Sequence, residues 1–91
     1  MVDVVRVFKA LGDDSRLRIV AALLGKRTCV CSLARALDIP QPTLSHHLKT
    51  LRDAGLVVGE KDGSLIHCSL DEEAFAQIGI DIQAVLKHLA E

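Results

Sequence analysis

Apolar positions recur at helical spacing in four segments of the first half of the chain. The first segment is 4–11. The second, 17–24, is apolar on nearly all sides and is therefore predicted to form the centre of the core. Two further helices are predicted at 29–37 and 42–54, and the tight connection 38–41 joins them. The pattern therefore places a helix–turn–helix in the middle of the chain.

The pattern changes after Gly55. Residues 56–58 and 64–69 are predicted to be strands, and the Asp62-Gly63 pair between them is a strong hairpin signal. A further helical stretch opens at Asp71. Its second half carries one apolar stripe, formed by Ile82, Val85, Leu86 and Leu89. A helix–turn–helix followed by a hairpin is the winged form of that motif, so the predicted fold is mainly α with a small β-hairpin wing.

The helix predicted at 42–54 carries the side chains that a DNA reader needs. Leu44, Leu48 and Leu51 form one apolar stripe that faces inward. The candidate DNA-contacting residues on the outward side, and just before the helix, are Gln41, Thr43, Ser45, His46, Lys49 and Arg52. The uncharged and imidazole groups suit base edges in a major groove, whereas lysine and arginine suit phosphates. Lys61, at the tip of the hairpin, is a candidate for one more backbone contact.

A solvated polar face is the alternative explanation for this helix, and the polar residues alone would favour it. The order of helix, turn, helix and hairpin favours contact with double-stranded DNA instead. His47 lies close to the apolar stripe. We therefore expect it to pack and to hydrogen-bond to backbone rather than to read a base.

Bulk properties favour one domain with a partner subunit. The 91 residues fit a single domain over 1–91, and 49% of them are hydrophobic, more than so small a core needs. Residues 1–70 carry ten Lys/Arg against seven Asp/Glu, whereas 71–91 carry one against five, so the acidic tail is not expected to touch DNA. No membrane span and no secretion signal are visible. Three cysteines, an odd number, fit free thiols in the cytoplasm.

Two runs of the chain resemble a known family of regulators. The sequence LGDDSRLRI at 11–19 resembles the opening of arsenical-resistance (ArsR-type) repressors, and QPTLSHHLKTLRDAGLV at 41–57 resembles their recognition helix almost residue for residue. The resemblance covers roughly residues 5–70. It implies a homodimeric winged helix-turn-helix repressor that leaves its operator when an inducer binds. It also implies that the first and last helices form the dimer interface.

Cys29 and Cys31 are the candidate inducer site. Thiolates are soft ligands for arsenite, antimonite, cadmium or lead, and nearby Lys26 and Arg27, with a helix N-terminus, would lower the thiol pKa values. On a helix, residues two apart point about 200° away from each other, so one ion could not hold both sulfurs without distorting the first turn. The resemblance implies that Cys-Val-Cys at this helix is the arsenite-binding segment. Packing of two small apolar side chains is the alternative.

A third cysteine often follows this segment in the family, three positions after the second, and this chain has Ala34 there. Cys68 is a weaker candidate for the missing ligand, because its alternation with Ile66 and Leu70 predicts that it faces inward and packs. A two-cysteine arsenite site, or a ligand from the other subunit, are the remaining alternatives.

Other sites and activities have less support. Some relatives bind zinc through Asp/His pairs on the last helix, but only His88 and Glu91 match here, and Gln83 stands two residues after Asp81 where a histidine is needed. A redox- or persulfide-sensing repressor is the alternative to an ion sensor, although a disulfide between such close cysteines is strained. For a metallochaperone or thiol enzyme, no nucleophile–base pair, phosphate loop or complete metal motif is visible. We expect no enzymatic activity, and no cofactor requirement for DNA binding.

Overall fold

The computed structural model describes residues 3–91 of the chain, and the elements it contains there are arranged as a winged helix-turn-helix. In chain order they are α1 (Val4–Leu11), α2 (Asp14–Ala22), β1 (Thr28–Cys29), α3 (Val30–Leu37), α4 (Gln41–Asp53), β2 (Val57–Asp62), β3 (Leu65–Leu70) and α5 (Glu72–Ala90). The predicted fold class, mainly α with a β-hairpin wing, is confirmed.

Aspartate side chains cap three of the helices. Asp3, Asp13 and Asp71 each precede a helix and accept a hydrogen bond from the backbone N–H three residues on, at 3.0–3.1 Å. The end of α3 is fixed differently, because Asp38 adopts a left-handed conformation with φ 54°. Gly55, with φ 80°, turns the chain from α4 into the wing. These caps explain why the helices begin and end close to the predicted positions.

The centre of the core is formed by α4. Its three leucines Leu44, Leu48 and Leu51 are buried as predicted, and Leu56 joins them just beyond the helix. Each such side chain contributes on the order of 1.5–3 kcal/mol through burial. The other buried members of this cluster are Val7, Ala10, Ile19, Leu23, Val30, Leu33, Ala34, Val57, Cys68 and Ile78. All five helices therefore share one core with the sheet.

The helix α2 is less central than its apolar composition predicts. Ile19 and the following Leu23 are buried, but Leu17 and Leu24 are 51% and 66% exposed. The helices α1, α3 and α4 all contact α2, but within α2 itself only Ile19 is buried. The prediction that this helix forms the centre of the core is therefore wrong.

The sheet has one strand more than the predicted hairpin. Its order is β1-β3-β2, with antiparallel pairing throughout. The hairpin closes at the Asp62–Leu65 pair, and Gly63 in the turn has φ 64°, as the Asp-Gly signal predicts. The short strand β1 adds Thr28 opposite Cys68 and Cys29 opposite His67. Cys29 therefore ends a strand and does not begin a helix.

The last helix, α5, is a single unit of 19 residues. It contacts α1, and much of its second half is exposed, including Leu86 and Leu89 of the predicted stripe. On α1, Val5 and Phe8 are also more than half exposed. Within the described part of the chain, no helix is both long and apolar enough to cross a membrane.

Candidate DNA-binding face and thiol pair

The outer face of α4 presents its polar side chains to solvent. All six candidates predicted around this helix are exposed: Gln41, Thr43, Ser45, His46, Lys49 and Arg52. Lys61 is exposed too, but it lies within β2, paired with Ile66, so it is one pair away from the predicted position at the hairpin tip. The structure thus leaves all seven side chains accessible to a duplex, and their contact with DNA stays a prediction.

Lys49 is already engaged in an ion pair. Its Nζ lies 2.8 Å from Oδ2 of Asp53, one helical turn later, and both side chains are partly exposed. The hydrogen bond from Lys49 holds the pKa of the Asp53 carboxyl below its ordinary value. Solvent screens an exposed pair of this kind and leaves it weak, so a phosphate can compete for the lysine.

Arg52 lies between α4 and the wing. One of its terminal nitrogens, Nη1, is 3.6 Å from the point where a Cβ would stand on Gly59 of β2. A Cβ there would make an ordinary van der Waals contact with the guanidinium, so Arg52 lies against the wing strand. This places the predicted phosphate contact at the junction of helix and wing.

His47 is half-buried, as predicted, but its partner is not backbone. Its Nδ1 lies 3.2 Å from Nη1 of Arg16 on α2. The same guanidinium donates through Nε to the carbonyl of Ala10 and through Nη2 to that of Lys9, at the end of α1. One arginine thus joins α1, α2 and α4. Sequence reasoning missed it, although Arg16 stands in the run at 11–19 that carries the family resemblance.

The two candidate thiols lie side by side at the start of α3. The Sγ atoms of Cys29 and Cys31 are 2.7 Å apart, and both cysteines are free. The expectation that they point about 200° apart is wrong, because Cys29 has extended backbone angles, φ −63° and ψ 137°, and only Cys31 is helical. A ligand can therefore meet both sulfurs without unwinding the first turn.

The environment favours a thiolate at Cys29. A hydrogen bond from the Cys31 side chain is the main cause of its lowered pKa, and the backbone N–H groups of Cys31 and Ser32 act in the same direction. The Cys29 side chain makes no capping hydrogen bond at the start of α3, so the contact with Cys31 is the main influence. The predicted help from Arg27 is not seen, because its guanidinium pairs with Glu60 on β2 at 2.9 Å.

Cys68 packs in the core, as its alternation predicts. It is 3% exposed, and its Sγ donates to the carbonyl oxygen of Thr28 at 3.4 Å. Burial raises the pKa of this thiol to about 11, and the charge on Cys29 adds to the shift. Among residues 3–91, no three His, Cys, Asp or Glu side chains come together as a metal site. Of the rejected zinc pattern, Gln83 and His88 are exposed on α5, and Glu91 is exposed just after it.

A cleft connects the thiol pair with the DNA-binding face. It has a volume of about 270 Å³ and lies between the start of α3, α4 and the wing hairpin. Gln41, Ser45 and Arg52 of the candidate DNA residues line it together with Cys29 and Cys31. The structure therefore brings together two sets of residues that the sequence keeps apart.

A second cleft lies on the other side of α4, next to α1. Arg6, Lys9 and Arg16 line it together with Thr50 and Asp53 of α4. This side is basic apart from the aspartate, and it contains the arginine that contacts His47.

Curated proteins of two resistance systems are similar to this chain. It is 42% identical over 77 residues to a cadmium resistance transcriptional regulatory protein CadC homolog of Staphylococcus aureus. The matched region spans 84% of this chain and 64% of that protein. It is 39% identical over 99 residues to the arsenical resistance operon repressor of Escherichia coli K12, spanning 94% of this chain and 84% of the repressor.

Solved structures agree with the fold. A possible transcriptional regulatory protein from Mycobacterium bovis, fragment 1–100, superposes with a TM-score of 0.76 at 30% identity, covering 92% of this chain and 90% of that one. The same fragment in solution is a homodimeric winged helix-turn-helix DNA-binding domain, with a TM-score of 0.76 over 97% of this chain and 82% of that one. An ArsR-like regulator from Rhodococcus superposes at 0.84 with 24% identity, over 96% and 82%, and supports the fold alone.

The match to a family model covers the helix–turn–helix itself. Residues 13–58, from the cap of α2 to the start of the wing, fit the model of the bacterial regulatory protein arsR family. This segment contains both the thiol pair and α4. The chain therefore belongs to the arsR family of DNA-binding transcriptional regulators, which confirms the predicted family and the prediction of a regulator rather than an enzyme.

Proposed function

We propose that the protein is a homodimeric transcriptional repressor that leaves its operator when a thiophilic ion binds to Cys29 and Cys31. The observation that carries this proposal is the 2.7 Å separation of the two sulfurs, one helix before the DNA-binding face. The names of two relatives, an arsenical resistance repressor and a cadmium resistance regulator, support the class of inducer.

Arsenite and antimonite fit this site better than cadmium or lead. Two thiols without a third side-chain ligand among residues 3–91 suit an ion of low coordination number. Cadmium and lead would need further ligands from solvent or from the partner subunit. Trivalent arsenic needs only one more bond, which a hydroxide can supply.

The position of Cys29 explains how binding would reach the DNA-binding face. Cys29 belongs to β1 and pairs with the wing strand β3, whereas Cys31 belongs to α3. An ion held by both sulfurs therefore ties the wing sheet to the first helix of the helix–turn–helix. Because α3 packs directly on α4, a shift of the wing sheet relative to α3 would alter how α4 and the wing meet DNA.

Homodimerisation follows from the exposed apolar residues. Val5 and Phe8 on α1 and Leu86 and Leu89 on α5 are all more than half exposed in the single chain. Two copies that cover these faces would bury them and place two α4 helices for a palindromic duplex. The Mycobacterium bovis winged helix-turn-helix domain, which is homodimeric, supports this proposal. We propose that the dimer acts in the cytoplasm and binds DNA without a cofactor.

The test is release of DNA by arsenite. A fluorescent duplex selected from a random library is bound by the reduced protein, and its anisotropy is followed during an arsenite titration. We expect release from the wild type and from Cys68→Ala, the matched control. We expect none from Cys29→Ser or Cys31→Ser, each with DNA affinity near normal before arsenite is added. Arsenite-dependent release from Cys29→Ser would place the inducer site elsewhere.

A redox-sensing repressor is a second candidate, and the same short sulfur separation favours it. Mild peroxide would join the two sulfurs with loss of two hydrogens, and polysulfide would add sulfur to them. Mass spectrometry of the DNA-free and DNA-bound fractions distinguishes the candidates. Oxidation or persulfidation of both cysteines in the released fraction alone, without a response to arsenite, would favour redox sensing.

A further inference from the structure

The second cleft, on the α1 side of α4, is a cationic cleft that takes no part in the proposed release. It has a volume of about 290 Å³, and its polar lining comes from Arg6, Lys9, Arg16, Thr50 and Asp53. The guanidinium of Arg16 is held by the last carbonyls of α1. The side chains of Arg6 and Lys9 are exposed, and neither has an ion-pair partner among residues 3–91. These two cations can therefore meet an anion from outside the chain.

The carboxylate of Asp53 does not cancel this charge, because Lys49 already pairs with it. Nζ of Lys49 lies 2.8 Å from Oδ2 of Asp53. The hydrogen bond from Lys49 is the main cause of the lowered pKa of Asp53, and the charge of Arg6 acts in the same direction. The Lys49–Asp53 pair is neutral as a unit. The three other charged side chains of the cleft are all basic, so the cleft as a whole is positive.

The cationic cleft borders the outward face of α4 on the side away from the wing. At about 100° per residue, His46 and Lys49 lie opposite the buried leucines, near the centre of the outward face. Thr50 lies on the α1 flank of this face, and Arg52 lies on the wing flank, about 160° around the helix from it. The DNA-binding face therefore has basic side chains along both of its edges.

A helix in the major groove of DNA has a phosphate backbone on each side. The groove is about 12 Å wide, and an α-helix with its side chains has a diameter of about 10–12 Å, so little space is left between helix and phosphates. Arg52 and the wing face one of the two backbones. Arg6 and Lys9, three positions apart on one side of α1, lie on the flank that faces the other.

We propose that Arg6 and Lys9 bind a phosphate of the operator backbone, so that the cationic cleft and the wing hold the two strands on either side of α4. Arg16 shapes the cleft without contacting the phosphate, since its donors are engaged with carbonyls and with His47. The contact fixes the position of α4 in the groove and reads no base. It uses the DNA binding of the family and does not depend on the thiols or on their inducer.

The cationic cleft stays open in the proposed homodimer. Val5 and Phe8, the exposed apolar residues of α1, are centred about 100° around the helix from Arg6 and Lys9. A partner that covers Val5 and Phe8 therefore leaves the basic side of α1 to solvent. Dimer formation and phosphate binding use different sides of the same helix.

The experiment locates the phosphate on the duplex. The duplex selected with the wild-type protein is synthesised with one methylphosphonate, which removes one backbone charge, at each position in turn, and Kd is measured by anisotropy. We expect one position in each half-site at which this change weakens binding by the wild type about fivefold and does not weaken binding by Arg6→Gln/Lys9→Gln. The positions that lose their effect in Arg52→Ala should be different ones, on the opposite strand across the groove.

Single variants and a matched control measure the size of the contact. Arg6→Gln and Lys9→Gln should each lower affinity for the unmodified duplex several-fold, and the slope of log affinity against log salt concentration should decrease by about one when the contact is lost. Lys87→Gln removes one exposed charge outside both clefts and should change neither value. All three variants should unfold at the urea concentration of the wild type, because none of these side chains is buried.

Two results would overturn the phosphate contact. One is a methylphosphonate profile of Arg6→Gln/Lys9→Gln that equals the profile of the wild type. The other is release of DNA by millimolar inorganic phosphate at constant ionic strength, abolished in the same variant, because the cleft would then be a site for a free anion. Arsenite should still release DNA from this variant. Loss of arsenite release from the wild type, with the phosphate profile as expected, would reject the proposed inducer site alone.

Discussion

The two sides of α4 differ in how they hold the helix. On the α1 side, Arg16 contacts His47 of α4 and the last carbonyls of α1, so three helices are joined through one guanidinium. On the thiol side, the helix faces the cleft, two free cysteines and the wing. One side fixes the helix in the fold, and the other leaves room for a ligand.

This difference shows how a chain of this size can respond to a ligand without losing its fold. Of the contacts that hold α4 in the core, Leu44, Leu51 and Arg16 lie outside the cleft that contains the thiols, and only Leu48 borders it. Changes on the thiol side should therefore alter reactivity and DNA binding with little effect on stability, and loss of Arg16 on the α1 side should do the reverse.

The largest expected contrast is in thiol reactivity. Cys68 lies behind the thiol pair with a pKa of about 11, so only about one molecule in a thousand carries its thiolate at pH 8. Cys29 has a lowered pKa, so a larger fraction of it is thiolate there. Iodoacetamide should thus modify Cys29 much faster than Cys68, as measured by peptide mapping. The rate at Cys29 should fall with decreasing pH at a midpoint below the ordinary thiol value.

The control for this contrast is the protein unfolded in urea, in which the rates of Cys29 and Cys68 should converge. Equal rates in the folded protein would mean that the thiol side is no more open than the core.

Arg16→Ala should give the largest loss of stability among the changes outside the leucine core. It removes the donor to two carbonyls and to His47, and partly buried hydrogen bonds to a charged group are worth about 2–3 kcal/mol together. Urea unfolding followed by circular dichroism measures this loss. Arg35→Ala, at an exposed arginine of α3, is the matched control and should stay within about 0.5 kcal/mol. Equal stabilities of the two variants would remove the assigned role of Arg16.

The sequence predicted most of the fold because its signals are local. The leucine stripe of α4, the aspartates before the helices and the Asp62-Gly63 turn each act within a few residues of themselves. The outward face of α4 follows from the same stripe, so the candidate DNA residues were placed correctly on the surface.

What the sequence missed depends on contacts between distant residues. Cys29 is extended because it pairs with His67 on β3, and no helical period reveals that pairing. For the same reason, the distance between the two sulfurs was wrongly predicted. The contact between Arg16 and His47, 31 positions apart, and the cleft shared by the thiols and α4 also require the folded chain.

Arg52→Ala tests whether the thiol side of α4 contributes a phosphate contact to DNA binding. The side chain stands at the junction of α4 and the wing, where a phosphate contact is proposed. We expect affinity to fall about tenfold, and the slope of log affinity against log salt concentration to decrease by about one. Lys87→Ala on α5 removes the same charge in the acidic part of the chain and should leave the slope unchanged. An unchanged slope in Arg52→Ala would exclude the phosphate contact.

The smallest expected effect comes from replacing Asp53. This change should raise DNA affinity, whereas Arg52→Ala lowers it. The carboxylate holds Nζ of Lys49 at 2.8 Å, and it adds a negative charge to a surface that is proposed to face phosphates. Asp53→Asn should therefore free the lysine and raise DNA affinity by about threefold at low salt, with the gain shrinking as salt is added. Glu73→Gln on α5 is the control for loss of a carboxylate. If the gain arises from the ion pair, it should disappear in the background of Lys49→Ala. A gain that persists in this background would mean that the Asp53 charge acts on DNA through the electrostatic field of the α1 side, and not through its ion pair with Lys49.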